Sequence, residues 1–161
     1  MRDTIFFSIY SRSTQQPDLL VVEPVVNGQL LSQLIYRFER EQNFEVAGGY
    51  GGLIPEFFKY GMLDRYFLGD HDPDSYWAGE DGIYVLVCQC GEAGCWPLQC
   101  RIRIEGDAVI WDHFQQPFRT MRDYSRFGPF VFDATQYRQA LTALIAEFST
   151  ENPNSRPKTV T

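Results

Sequence analysis

The stretch VCQCGEAGCWPLQC, residues 87–100, holds all four cysteines of this 161-residue chain. Thiolates bind soft metals, attack electrophiles and pass electrons, and a reduced thiol also packs as a small hydrophobe. A metal centre would draw on Cys88, Cys90, Cys95 and Cys100, with His113 as a substitute ligand, and zinc is the ion such a set suits. The spacing argues against it in one respect. Cys88 and Cys90 lie two apart on one face of a strand, which sets them about 7 Å apart, too far for one tetrahedral ion unless the strand kinks. Nucleophilic catalysis requires a cation beside the thiol, and the turn CGEAGC supplies the anion Glu92 instead. His113 would have to approach as base. Plain packing suits Cys100 well and Cys88 adequately and is the favoured reading, although it does not explain why four thiols group.

Two further segments carry chemistry-bearing side chains. DHDPDSYWAGED can be laid on a calcium loop, with Asp70, Asp72 and Asp74 at positions one, three and five. The match breaks at Ser75, where a glycine is needed, and at Asp81, where a bidentate glutamate belongs. A solvated acidic loop is the expected reading, and such a loop is able to face a basic partner. PFRTMRDYSRF sets Arg119, Arg122 and Arg126 among Phe118, Tyr124 and Phe127, a mixture that could stack on bases, which the net charge opposes, and that also occurs at protein–protein hot spots. The favoured reading is that the rings plug the gap between the sheet and the last helix while the arginines stay solvated. The two histidines read as ordinary polar residues. GGYGGL fits neither phosphate-loop pattern, and no Ser/His/Asp, H-E-x-x-H or nucleophile-elbow pattern occurs.

The elements that must position these groups follow from periodicity. TIFFSIYS and LLVVEPVV read as strands, with Pro24 at an edge, a bulge or a strand end because it cannot donate to a ladder. Leu30, Leu31, Leu34, Ile35 and Phe38 make the apolar stripe of a first helix, with Asn27 as its N-cap. GGYGGLIP reads as a loop, and PEFFKYGMLDRYFLG as a short helix or irregular aromatic segment. IYVLVCQC, WPLQCRIRIEG and GDAVIWDHF predict an antiparallel meander over residues 83–114, with CGEAGC as one bend and Gly106-Asp107 as the other. Leu98, Cys100, Ile102 and Ile104 share its inner face, Arg101 and Arg103 its outer one. Asp133 and Gln136 form a capping-box pattern. Tyr137, Ala140, Leu141, Leu144, Ile145 and Phe148 then recur at helical spacing.

The whole is expected to be one α+β domain over residues 1–150. An antiparallel sheet of about five strands carries two or more helices, and residues 151–161 form a disordered tail. A net charge of −7 argues against nucleic-acid binding. The N-terminal segment lacks the pattern of a signal peptide, and no run of about 18 apolar residues occurs, so a cytoplasmic protein with reduced thiols is expected.

CQCGEAGCWPL, VIWDHFQQPFR and YSRFGPFVFDATQYRQAL together resemble a group of small bacterial proteins of unknown function marked by a C-x-C-G-E-x-G-C-W-P motif. The likeness covers about residues 19–148. Phe118 departs from it, standing where a histidine is expected. The resemblance implies a bacterial cytosolic protein and no reaction. Three functional readings stand side by side. The first and favoured one is a non-enzymatic protein that binds another protein through Asp70, Asp72 and Asp74 or through Arg119, Arg122 and Arg126, by analogy an immunity-type inhibitor. The second is a small zinc protein using the cysteines, zinc being the one exception to an expectation of no cofactor. The third is an enzyme with its site beside Trp96, Trp111 and His113.

Overall fold

The structure, a computed structural model, describes residues 2–57, 60–70, 78–79, 82–91 and 95–151. Strands β1 (Ile5–Ser13) and β2 (Gln16–Val26) pair antiparallel, and β3 (Gln29–Leu30) adds to β2 to complete a three-stranded sheet. The β2–β3 turn is Asn27-Gly28, with φ 52° and 80°. Positive φ at both positions is the geometry of a type I′ hairpin, for which Asn-Gly is the preferred pair. Asn27 is thus a turn residue rather than the helix N-cap its neighbours suggested. Its side chain accepts from Thr4 N at 2.9 Å and donates to Asp3. Val22 exchanges both backbone bonds with Leu53, so the even-numbered amides of β2 point away from β1. Pro24 therefore removes no donor from the β1 ladder.

Helix α1 (Leu31–Glu41) begins at Leu30, which offers no side-chain cap. Glu23, buried on β2, takes over that role: its Oε2 accepts from Ser32 N at 2.9 Å. A carboxylate held at a helix N-terminus satisfies a backbone donor and meets the positive end of the helix dipole. Part of the glycine-rich segment read as loop is strand β4 (Tyr50–Gly51), followed by the short helix α2 (Leu63–Tyr66) and by β5 (Ala78–Gly79).

The predicted meander is present as β6 (Gly82–Cys88), β7 (Leu98–Glu105) and β8 (Ala108–Gln115), which are extended by β9 (Phe130–Asp133). The second sheet runs β4-β6-β7-β8-β9, all antiparallel, with β5 beside β6. It curls onto the first sheet at both edges. Asp3 N donates to Val131 O at 2.8 Å beside β9, and the Leu53–Val22 bridge follows directly on β4. Leu98, Cys100 and Ile102 face the core as expected. Ile104 runs past its end and is exposed.

Helix α3 (Ala134–Glu151) lies against β1, β8 and β9. Asp133 Oδ2 caps it by accepting from Gln136 N at 3.1 Å. The Gln136 side chain does not return to close the capping box. It bonds Ile5 N and Ile5 O on β1 instead, fastening the helix start to the other sheet. Tyr137, Ala140, Leu141 and Leu144 are buried, and Trp111 Nε1 donates to Tyr137 Oη at 3.0 Å within a cluster of rings that includes Phe132. The antiparallel, curled arrangement with three helices is an α+β fold. No helix among the described residues is long and apolar enough to cross a membrane. The tail beyond residue 151 lies outside the described residues.

Candidate metal centre

The thiols converge because the end of β6 turns sharply. Tyr50 of β4 pairs with Cys88, and Gln89 N donates to Gly49 O at 3.0 Å. Gly91 N then donates back to Cys88 O at 2.8 Å, closing a four-residue turn with Gly91 at φ 89°. This is the kink that a flat C-x-C strand lacks. The sulfurs of Cys88, Cys90 and Cys95 all lie within 4.8 Å of one another, and Cys90 Sγ is 3.6 Å from Cys95 Sγ. Two thiolates at about 2.3 Å from a tetrahedral zinc stand about 3.8 Å apart, so the group has the dimensions of a zinc–thiolate centre.

Gly91 is required at this turn twice over. Its φ lies in the left-handed region, and an added Cβ would stand 2.8 Å from the Phe57 ring and 2.9 Å from Ile54 Cδ1. Gly91→Ala is therefore expected to cost about 1–3 kcal/mol of stability and to weaken metal uptake. Paired melts with and without zinc check this, since a purely local packing defect would leave the zinc-dependent increment unchanged.

Two arginines hold the turn from distant parts of the chain. Arg12 of β1 donates to Cys90 O at 2.9 Å, and Arg119 donates to Cys95 O at 3.2 Å. The Arg119 guanidinium also lies over the Trp96 ring at 3.8 Å, and that of Arg122 at 5.2 Å. Trp96 Nε1 donates to Gly48 O at 2.8 Å, which locks the far side of the loop to the start of β4. Despite these cations, the Cys95 thiol is raised to about 12. Lost solvation comes first among the causes, and the adjoining Cys88 and Cys90 thiols add to it. A bound cation reverses the balance, because it stabilises several adjacent thiolates at once.

Cys100 does not join the group. It is fully buried on β7, and burial pushes its thiol up, with Asp112 adding to the effect. Packing accounts for this cysteine as the sequence suggested. Glu92 lies outside the described residues. Among those described, the group has three ligand atoms, with Cys90 and Cys95 exposed and Cys88 half-buried.

The remaining candidates are dispersed. Trp111 is buried beneath α3, whereas Trp96 stands on the cysteine loop. His113 is exposed in a β8 bulge at φ 52°, at the mouth of an open cleft of about 1230 Å³ whose described lining includes neither tryptophan. That cleft carries Arg101 and Arg103, both already bonded to Asp112. Burial works to raise Asp112, but the two arginines outweigh it and hold the carboxyl below its ordinary range. Asp70 pairs with Arg65 at 2.9 Å, while Asp72, Asp74 and His71 lie outside the described residues. Arg126 is exposed, Arg119 stacks on Trp96, and the Arg122 side chain is only 7% exposed.

Arg122 leads to the group that the sequence did not reveal. Its Nη1 lies 3.2 Å from Oε2 of Glu39, a carboxylate with no exposed surface. Glu39 also accepts from Gly48 N at 2.8 Å, Tyr50 Oη at 2.7 Å and Tyr124 Oη at 2.5 Å. Gln116 Nε2 donates to Tyr50 Oη. Burial and the neighbouring carboxylate raise Tyr50, and the same causes raise Tyr124 to about 12, so both phenols remain donors. A signal for Glu39 was present: it stands four residues after Ile35 and eight after Leu31, on the buried stripe of α1, where a carboxylate has no reason to be unless it is paired.

Fold and site together define an α+β protein with a three-thiol cluster on a strand-end turn. No family model, no curated protein and no solved structure matches the chain.

Proposed function

We propose that this chain is a small metal-binding protein whose centre is formed by Cys88, Cys90 and Cys95, with zinc as the ion. The observation that supports this reading is the convergence of three thiols on a turn whose backbone is held by Arg12, Arg119 and a glycine that admits no side chain. A packing role would bury the thiols, yet two of the three are exposed. Soft thiolate donors select zinc and copper(I) over harder ions. The bacterial resemblance carries no activity, so the reading rests on the site alone.

The deciding experiment is elemental analysis of protein purified without chelator, followed by zinc titration of stripped protein against a chromophoric chelator. One zinc per chain is expected. Because the thiols must lose their protons, affinity should fall by about tenfold per pH unit for each proton released as pH drops below neutrality. Protein that takes up no zinc at micromolar concentration would end the proposal. Copper(I) taken up in preference to zinc would keep the centre and change the ion.

A second reading, a protein-binding surface, draws on Phe118 and Met121, which are 59% and 93% exposed beside Arg119. Large apolar side chains grouped on a surface are the usual mark of a docking face. Arg119 and Arg126 would serve it from the exposed side. Arg122, turned inward to Glu39, would act only by holding the segment in shape.

A further inference from the structure

We infer that the cysteine turn is a redox switch in which Cys90 and Cys95 close to a disulfide on exposure to a hydroperoxide and thereby release the bound ion. The release rests on the metal reading above; the disulfide does not. Three observations carry it. The two sulfurs already stand 3.6 Å apart. Both residues are exposed, so a small oxidant reaches them. Both lie in turn backbone outside any strand, whereas Cys88 is fastened within β6 by its pairing with Tyr50. Closing from 3.6 Å to the roughly 2.05 Å of a disulfide bond therefore asks least of the Cys90–Cys95 pair.

The chemistry balances without a further reagent. The Cys90 sulfur attacks one oxygen of the hydroperoxide. An S–O bond forms as the O–O bond breaks, and the leaving oxygen departs as water from hydrogen peroxide or as an alcohol from an organic hydroperoxide. The Cys95 sulfur then attacks the Cys90 sulfenic acid. The S–S bond forms as the S–O bond breaks; the oxygen leaves as hydroxide when Cys95 is a zinc-bound thiolate, and as water with the Cys95 proton when the site is empty of zinc. Two thiols have lost two electrons to the O–O bond. Once both sulfurs are tied up, Cys88 alone remains as a thiolate donor and cannot hold the ion.

The test treats zinc-loaded and zinc-free protein with hydrogen peroxide, reading zinc by a chromophoric chelator and disulfides by peptide mapping. Cleavage after Glu92 separates Cys90 from Cys95, so their peptides stay joined only through a disulfide. One zinc released per disulfide formed is expected, with recovery of both thiols and zinc binding on reduction by dithiothreitol. The Cys88→Ser variant should still form the disulfide, and Cys90→Ser should not. Disulfides that include Cys88, or sulfinic acid without any disulfide, would overturn the switch and leave the metal centre standing. A chain that binds no zinc overturns the release, and mapping of the zinc-free protein then decides the disulfide by itself.

Discussion

Cys88→Ser, Cys90→Ser and Cys95→Ser should each lower zinc affinity by on the order of 100-fold or more, while Cys100→Ala leaves it within a few fold. The contrast follows from placement. The first three sulfurs lie within 4.8 Å of one another, and Cys100 is buried on the core face of β7. A hydroxyl in place of a thiolate is a weak donor for zinc, and two remaining thiolates do not make a protein site. The same contrast should appear in stability. With zinc at about 100 times its dissociation constant, binding adds about 2.7 kcal/mol, or about 5–10 °C in Tm for a chain of this size. Wild type and Cys100→Ala should show that increment, and the three serine variants should lose it. Cys100→Ala should start from a lower Tm, because deleting a buried sulfur leaves a small cavity. Zinc-dependent melting of the five proteins checks both statements. Equal increments in all of them would place the metal elsewhere.

Arg122→Ala and Glu39→Ala should each cost about 3–5 kcal/mol, the largest stability losses expected of any polar substitution here. Removing Arg122 strands a carboxylate that has no exposed surface. Removing Glu39 leaves Gly48 N, Tyr50, Tyr124 and Arg122 without their shared acceptor. The double variant should lose less than the sum, because each single change already charges for the partner left unpaired. Glu39→Gln, which keeps shape and some acceptors, should fall between. The effect should reach the metal centre as well. Glu39 holds Gly48 N while Gly48 O holds the Trp96 indole, and Trp96 follows Cys95 in the chain. Denaturant melts give the stability ranking, and the emission of Trp96, isolated by conservative replacement of the other tryptophans, reports whether the loop has loosened. Additive losses would show that Glu39 and Arg122 do not couple, and an unchanged Trp96 environment would show that the buried pair and the thiol turn are independent.

Much of the scaffold was legible because it is written in short-range periodicity. The α3 stripe from Tyr137 to Phe148 specifies a buried face whatever it packs against, and Asp133 caps its own neighbour. Alternation along β7, with the two-residue turn at Gly106-Asp107, specifies the β7–β8 hairpin and the side on which Cys100 is buried. Glu39 carried a local signal, a carboxylate on an apolar stripe, but nothing nearby in the chain pointed to its partners. Asn27-Gly28 was open to two local readings, helix cap or hairpin turn, and pairing between β2 and β3 chose the second.

What the chain alone determined is that its thiols would gather at one end of a meander. Only the tertiary structure decided that three of them aim at one point. That outcome depends on β4 pairing with the end of β6, on the bend at Gly91, and on Arg12 and Arg119 reaching the turn from the chain's two halves. The same holds for Glu39 and Arg122, 83 residues apart. Helix and hairpin preferences act between residues a few positions apart, where the backbone itself sets the geometry. Contacts closed across the chain are chosen by how whole elements stack, and no local pattern encodes that choice.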